Sequence, residues 1–220
     1  YFKKRLYLNK KISLKRIKYK KVKKLQPYSW EYFGNYTDEP TDIQLFLYDD
    51  EAYFEEVTTH LNQIESHLSK VKLNEMVWFN LHGFNQNDLF LKIANIFKIP
   101  TYTINEVLSF NRRTRLEEQE GIMFFNLKAS FPKLVNNKVQ IIPISFILKD
   151  NVLLSFQEKK NDLFDHIRER IRTKTGSVRK KKEDYLLFLM LEAIMENFFL
   201  TLDDIENNVE LIVIEAKTAK

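Results

Sequence analysis

The 220-residue chain contains no cysteine, which excludes disulfides, thiolate metal sites and a cysteine nucleophile. That absence suits a reducing cytoplasm without proving one. Only four glycines are present, and neither GxGxxG nor GxxxxGK(S/T) occurs, so no Gly-rich loop is available to cradle phosphates. HExxH is also missing, and no Ser/His/Asp arrangement stands out. Carboxylates are plentiful, but no pair is distinctive enough to point to glycoside chemistry. An enzyme is therefore disfavoured. Long apolar runs are lacking too. The most apolar stretch, Leu186 to Met195, is ten residues long and contains Glu192, whereas a bilayer span needs roughly 20 apolar residues. The N-terminal lysines are not followed by an apolar run, so no signal peptide is expected. The chain opens on Tyr1 rather than methionine, from which a missing N-terminal piece is expected.

What is present describes one domain with a sizeable core: 44% of residues are hydrophobic and 14% aromatic, which argues against a disordered chain. The net charge of +5 hides an asymmetry. Residues 1–24 hold twelve Lys/Arg and no Asp/Glu, leaving 23 basic against 30 acidic residues in 25–220. The body is mildly acidic and carries a basic arm. Such like-charge blocks are most often solvated termini; attraction to an anionic membrane face or to nucleic acid is the alternative.

Residues 28–36 (YSWEYFGNY) suit a strand, and alternation at Ile43, Leu45 and Leu47 marks another. Phe54, Val57, Leu61, Ile64 and Leu68 recur at steps of three and four, which predicts an amphipathic helix. The run 76–81 (MVWFNL) reads as a buried strand. A helix carrying Leu89, Ile93, Ile96 and Phe97 follows and ends before Pro100. A short helix comes next, from about Thr101 to Ser109. Residues 121–131, 139–148 and 152–157 read as strands, the last two joined by a tight turn at Lys149-Asp150-Asn151. An antiparallel region after a β–α stretch implies a mixed sheet.

From Asp162 the chain turns helical, with Gly176 as an interruption. Leu187, Leu191, Ile194, Phe198, Leu202, Ile205, Val209 and Ile212 then form an apolar stripe. At about 1.5 Å per residue it runs roughly 40 Å. A helix that long cannot bury its whole stripe against a compact α/β domain, so it is expected to project and to pack on another helix.

The histidines are unpromising as metal ligands. His60 and His67 lie two turns apart and read as surface residues. His82 and His166 stand alone and suit turns or helix ends. The run 168–182 (RERIRTKTGSVRKKK) is strongly basic. It reads either as a phosphate contact or as two helix caps in water, and the second is favoured because base-stacking aromatics are not interleaved with the charges.

The run 156–199 (FQEKKNDLFDHIRERIRTKTGSVRKKKEDYLLFLMLEAIMENFF) resembles the CorA family closely. There, a strand ends in FQE, an acidic-capped helix carries RERIR, and an RKK…DYLL segment opens a long helix. Here these are Phe156–Glu158, Arg168–Arg172 and Arg179–Leu187, in the same order and spacing. Upstream, residues 78–110 look like the family's strand, helix and short acidic helix; 111–131 follow more loosely, and 25–74 only by pattern. The resemblance implies a three-layer α/β/α sandwich with a mixed parallel/antiparallel sheet over 25–160. It also implies a helical region over 161–220 whose long projecting helix is cut before the transmembrane part, while 1–24 form the basic arm. It further implies a homopentamer on the cytoplasmic face of the inner membrane, with the Gly-Met-Asn pore signature expected beyond Lys220 and the fragment itself soluble and unable to conduct. As an isolated fragment, a monomer is equally compatible.

In the family, carboxylates on the short and long helices bind regulatory divalent cations between subunits. These positions fall on Asn105, Glu106 and Glu192, which implies Mg2+ as the regulatory ion, with Co2+ also admissible. Such hard cations take oxygen ligands and keep several waters. Asn105 departs from the family's usual carboxylate and brings no charge; Glu196 is a potential substitute. Against a sensing role, Thr103-x-x-Glu106 fits a capping box, and Glu192 and Glu196 fit a solvated helix face. In the mechanism that the resemblance implies, cation binding between subunits favours a closed ring and its loss lets the pore open. The alternatives are a nucleic-acid module acting through the basic segments, for which binding would fall steeply with salt, the corresponding domain of a zinc-transporting relative, or a scaffold with no metal role. Nucleic acid is the less favoured partner.

Overall fold

The computed structural model describes residues 32, 34, 36–109, 113–135, 138–161 and 163–218. The basic arm and most of the strand expected over 28–36 lie outside these residues. Of that strand, Tyr32, Gly34 and Tyr36 are described and are not in strand conformation. Tyr32 is instead buried, with its hydroxyl donating to Glu158 Oε1 at 2.5 Å and its ring edge-on to Phe84. Burial pushes the Glu158 carboxyl above its usual range.

Seven strands form one sheet in the order β2-β1-β3-β7-β6-β5-β4. They are β1 (Asp42–Tyr48), β2 (Tyr53–Thr58), β3 (Met76–His82), β4 (Arg115–Gln119), β5 (Ile122–Val135), β6 (Lys138–Lys149) and β7 (Val152–Gln157). β3 and β7 run parallel and every other pair is antiparallel, so the sheet is mixed, as expected. Asp150 and Asn151, both at positive φ, make the two-residue turn between β6 and β7.

The helices are α1 (Leu61–Leu68), α2 (Asn87–Phe97), α3 (Thr101–Val107), α4 (Asp165–Thr173) and α5 (Glu183–Thr218). The helix expected from Phe54 onward is corrected: Phe54 and Val57 belong to β2, and only Leu61 onward is helical. The β-forming residues Tyr53, Phe54, Val57 and Thr58 pair with β1 along its length. Asp49 makes the turn by accepting from the N–H groups of Glu51 and Ala52, both at 2.8 Å. A spacing of three or four residues carried across a strand, a break and a helix imitated one helical face. Strand β4 was not anticipated, because RLEEQ has no apolar alternation and stands at the sheet edge.

Side chains alternate across the sheet. Val77, Phe79 and Leu81 of β3 join the cluster covered by α1, α2 and α3, while Met76 and Trp78 join the cluster covered by α4 and α5. The result is the expected three-layer α/β/α sandwich. Toward the end of β3 the second face turns polar. Trp78 Nε1 donates to Ser155 Oγ at 2.9 Å, the Ser155 hydroxyl donates to Asn80 Oδ1 at 2.7 Å, and the Asn80 amide meets His82 Nε2 at 3.3 Å. His82 is buried, with Nδ1 3.9 Å from Asp42.

The basic run does not simply sit in water. Arg168 is buried, donates from Nε to Gln44 Oε1 at 2.7 Å, pairs with Asp165, and lies 5.3 Å from the Trp78 ring. Arg172 pairs through two nitrogens with Glu55, at 2.8 and 2.7 Å. Arg179 donates to the Ile171 and Arg172 carbonyls, capping α4. Lys174, Lys180, Lys181 and Lys182 remain exposed.

α5 has 36 residues, about 54 Å at ~1.5 Å per residue. Leu186, Leu187, Leu189, Met190, Ala193 and Ile194 bury its first half, and Thr201 bonds Ser130 of β5 at 3.1 Å. Thr201 is its last buried residue. Beyond it Leu202, Ile205, Val209 and Ile212 all lie exposed. By length and composition α5 would suffice to cross a membrane, which the ten-residue run Leu186–Met195 did not suggest. Its first half nevertheless rests on the sheet, and Asp203, Asp204, Glu206, Glu210 and Glu215 punctuate the remainder.

Candidate functional site

α3 begins after Pro100, the residue at its N-cap position, and buries Thr103, Ile104 and Val107. That leaves Asn105 and Glu106 half-buried on its outer side. Thr103 is the third helical residue, not the cap, so Thr103 and Glu106 do not form a capping box. The Glu106 carboxylate is paired with the Arg115 guanidinium from β4. Arg115 also reaches Glu117 at 3.0 Å, and its guanidinium lies 5.6 Å from the Phe124 ring. Its backbone N–H donates to Asn126 Oδ1 at 3.1 Å, fixing the start of β4. A cavity of about 210 Å3 opens beside this pair, lined among others by Tyr102, Glu106, Glu117, Glu118 and Phe124. The Asn105 carbonyl accepts from the Ser109 hydroxyl at 2.7 Å.

Glu192 projects from the exposed side of α5, directly before the buried pair Ala193 and Ile194, and Glu196 is likewise exposed. The sheet therefore separates the expected residues: Asn105 and Glu106 stand on the layer of α1, α2 and α3, and Glu192 on the layer of α4 and α5. Within one chain they do not converge. Among the described residues no group of three His, Asp or Glu is close enough to hold a metal ion. A site that uses all three must draw on two copies of the chain. Its donors are amide and carboxylate oxygens, the set a hard, partly hydrated divalent cation accepts.

The histidines contribute nothing to such a set. His60 and His166 are exposed, His67 stacks on Phe54 with centroids 4.3 Å apart, and His82 is enclosed in the polar end of the sheet.

The family model described as CorA-like Mg2+ transporter protein matches residues 73–219, well over half of the chain. The chain belongs to this CorA-like family. The cobalt/magnesium transport protein CorA of Thermotoga maritima is 30% identical over 190 residues, covering 86% of this chain. The chain spans 53% of that relative's length. The soluble domain of CorA from Methanocaldococcus jannaschii superposes with a TM-score of 0.59 at 16% identity, over 80% of this chain and 64% of that one. The ZntB cytoplasmic domain from Vibrio parahaemolyticus does so at 0.58 and 15%, over 76% and 64%. At those identities the two structures establish the shared fold alone.

In this CorA-family chain, what the sequence reading missed is the surroundings of Glu106. Arg115, Glu117 and Glu118 sit on the unanticipated edge strand, and the only local signal was the charge pattern of 115–119. Nothing in the sequence spacing links Arg115 to a helix that ends eight residues earlier.

Proposed function

We propose that the chain is the cytoplasmic, divalent-cation-sensing regulatory domain of a homopentameric Mg2+/Co2+ channel or transporter. The domain limits are 25–160 for the sensing sandwich and 161–220 for the helical region that leads toward the inner membrane. In this reading Asn105 and Glu106 of one copy and Glu192 of its neighbour together hold a regulatory Mg2+, largely through water. Occupancy favours a closed, symmetric assembly, and its loss lets the subunits shift.

The second half of α5 carries the proposal. A helix that leaves its sheet at Thr201 and continues for more than four turns with an exposed apolar stripe is built to lie against other helices. The site reading draws on two further features: an oxygen-only donor set, and its division between opposite faces of the sheet, which makes it a subunit-bridging site or no site. The nucleic-acid alternative loses three of the contacts it would draw from the run 168–182, because Arg168 and Arg179 are buried against the fold and Arg172 is paired with Glu55.

The test is limited proteolysis of the full-length protein across a Mg2+ titration. Glu106→Ala combined with Glu192→Ala should abolish Mg2+-dependent protection. Protection indistinguishable from that of the unaltered protein would overturn the site assignment.

A further inference from the structure

Resting on the site reading above, we infer that Arg115 is a built-in competitor of the divalent cation and sets the concentration at which the site fills. The cation and the guanidinium want the same carboxylate. Glu106 is paired with Arg115 in the single chain, so a cation that takes up this oxygen must displace the guanidinium or share the carboxylate with it, at close like-charge range. Either way its apparent affinity falls.

Arg115 is held for this position from several directions. The Asn126 side chain accepts from its backbone N–H at 3.1 Å, Phe124 lies beneath its guanidinium at 5.6 Å, and Glu117 holds a second nitrogen at 3.0 Å. Its side chain is 27% exposed and that of Glu106 is 17% exposed, so solvent and salt screen the pair only partly. The geometry also offers the guanidinium a place to go. Glu117, half-exposed on the same edge strand, can retain Arg115 when Glu106 turns to a cation. Arg115 is thus a positioning residue that acts through Glu106, and Glu117 decides how firmly it competes.

Two substitutions therefore have opposite expected signs. Arg115→Met keeps the aliphatic cover over Phe124 and removes the charge; it should lower the half-maximal Mg2+ concentration by about three- to tenfold, the range of a partly buried ion pair. Arg115→Lys, which keeps a charge but not the planar fork, should fall between. Glu117→Gln leaves Arg115 undivided on Glu106 and should raise the half-maximal concentration by about two- to fivefold. The experiment is a Mg2+ titration of the full-length protein, read by protection from proteolysis and by the shift of its melting temperature. It uses these three variants, Glu106→Ala, and the Arg115→Met/Glu106→Ala pair. In the pair, the gain from Arg115→Met should vanish.

An unchanged or raised Mg2+ requirement in Arg115→Met, with Glu106→Ala still impairing the response, overturns the competitor role and leaves the site reading standing. An unchanged response in Glu106→Ala overturns the site reading itself. Should Arg115→Met fail to fold, Glu117→Gln on the exposed strand decides alone: a lowered or unchanged requirement there refutes the competition.

Discussion

Replacing Arg168 with Met separates an internal role for the basic run from a surface one. The guanidinium is 5% exposed while its partner Asp165 is 67% exposed. The ion pair is therefore half wet, and contributes at most about 1 kcal/mol. The Nε–H donated to Gln44 Oε1 at 2.7 Å is a charged, buried hydrogen bond, for which about 1.5–3 kcal/mol is usual. The approach to Trp78 at 5.3 Å adds about 0.5–1 kcal/mol. Against these stands the desolvation of a buried cation, which holds the Arg168 pKa below its usual value. Met preserves most of the stem's packing, so the net loss should be about 2–3 kcal/mol, a melting temperature lower by about 4–12 °C for a chain of this size. Lys181→Met changes the formal charge identically at an exposed position, and should stay within about 0.5 kcal/mol of the unaltered protein. Thermal and urea denaturation of both variants, followed by circular dichroism, makes the comparison. If the two variants melt together, Arg168 is not a structural residue and the run returns to consideration as a surface for anions.

Two further outcomes follow from burial. Burial holds the His82 imidazole below its usual value even with Asp42 beside it, and Lys160 and Arg168 add repulsion; in the unfolded chain it titrates at about 6.5. Below that pH the unfolded state binds the extra proton, so stability is complete above about pH 6.5 and declines as pH falls toward the lower folded value. Urea midpoints at a series of pH values should show this decline, and His82→Gln should flatten it; an equal decline in the variant would exclude His82 as its source. Along α5, Ile194 is 1% exposed and Ile205 36% exposed. Ile194→Asp should cost at least about 4 kcal/mol by burying an unpaired charge. Ile205→Asp should leave the 220-residue chain within about 0.5 kcal/mol of its starting stability yet disrupt assembly of the full-length protein, measured by light scattering. Assembly unaffected by Ile205→Asp would mean that the stripe is not an interface.

The sequence by itself determined the elements whose signal is local. The apolar run of β3, the hairpin turn at Asp150-Asn151 and the long stripe of α5 each express a period or a turn preference that neighbouring residues enforce. The run 156–199 was enough to identify the family, because motif order and spacing survive without knowledge of the fold. Only the tertiary structure decided matters that depend on residues distant in the chain. It placed Phe54 and Val57 in a strand, because pairing with β1 outweighs a spacing that also fits a helix. It revealed β4, whose polar residues need no apolar period at a sheet edge. It turned Arg168 and Arg179 inward, toward Gln44 and the carbonyls at the end of α4, and set the partly exposed Arg172 against Glu55 of β2. It set Glu106 against Arg115 and put the sheet between Glu106 and Glu192. Local chemistry marks a residue as charged; which charge it meets, and on which face, is fixed only when the layers close.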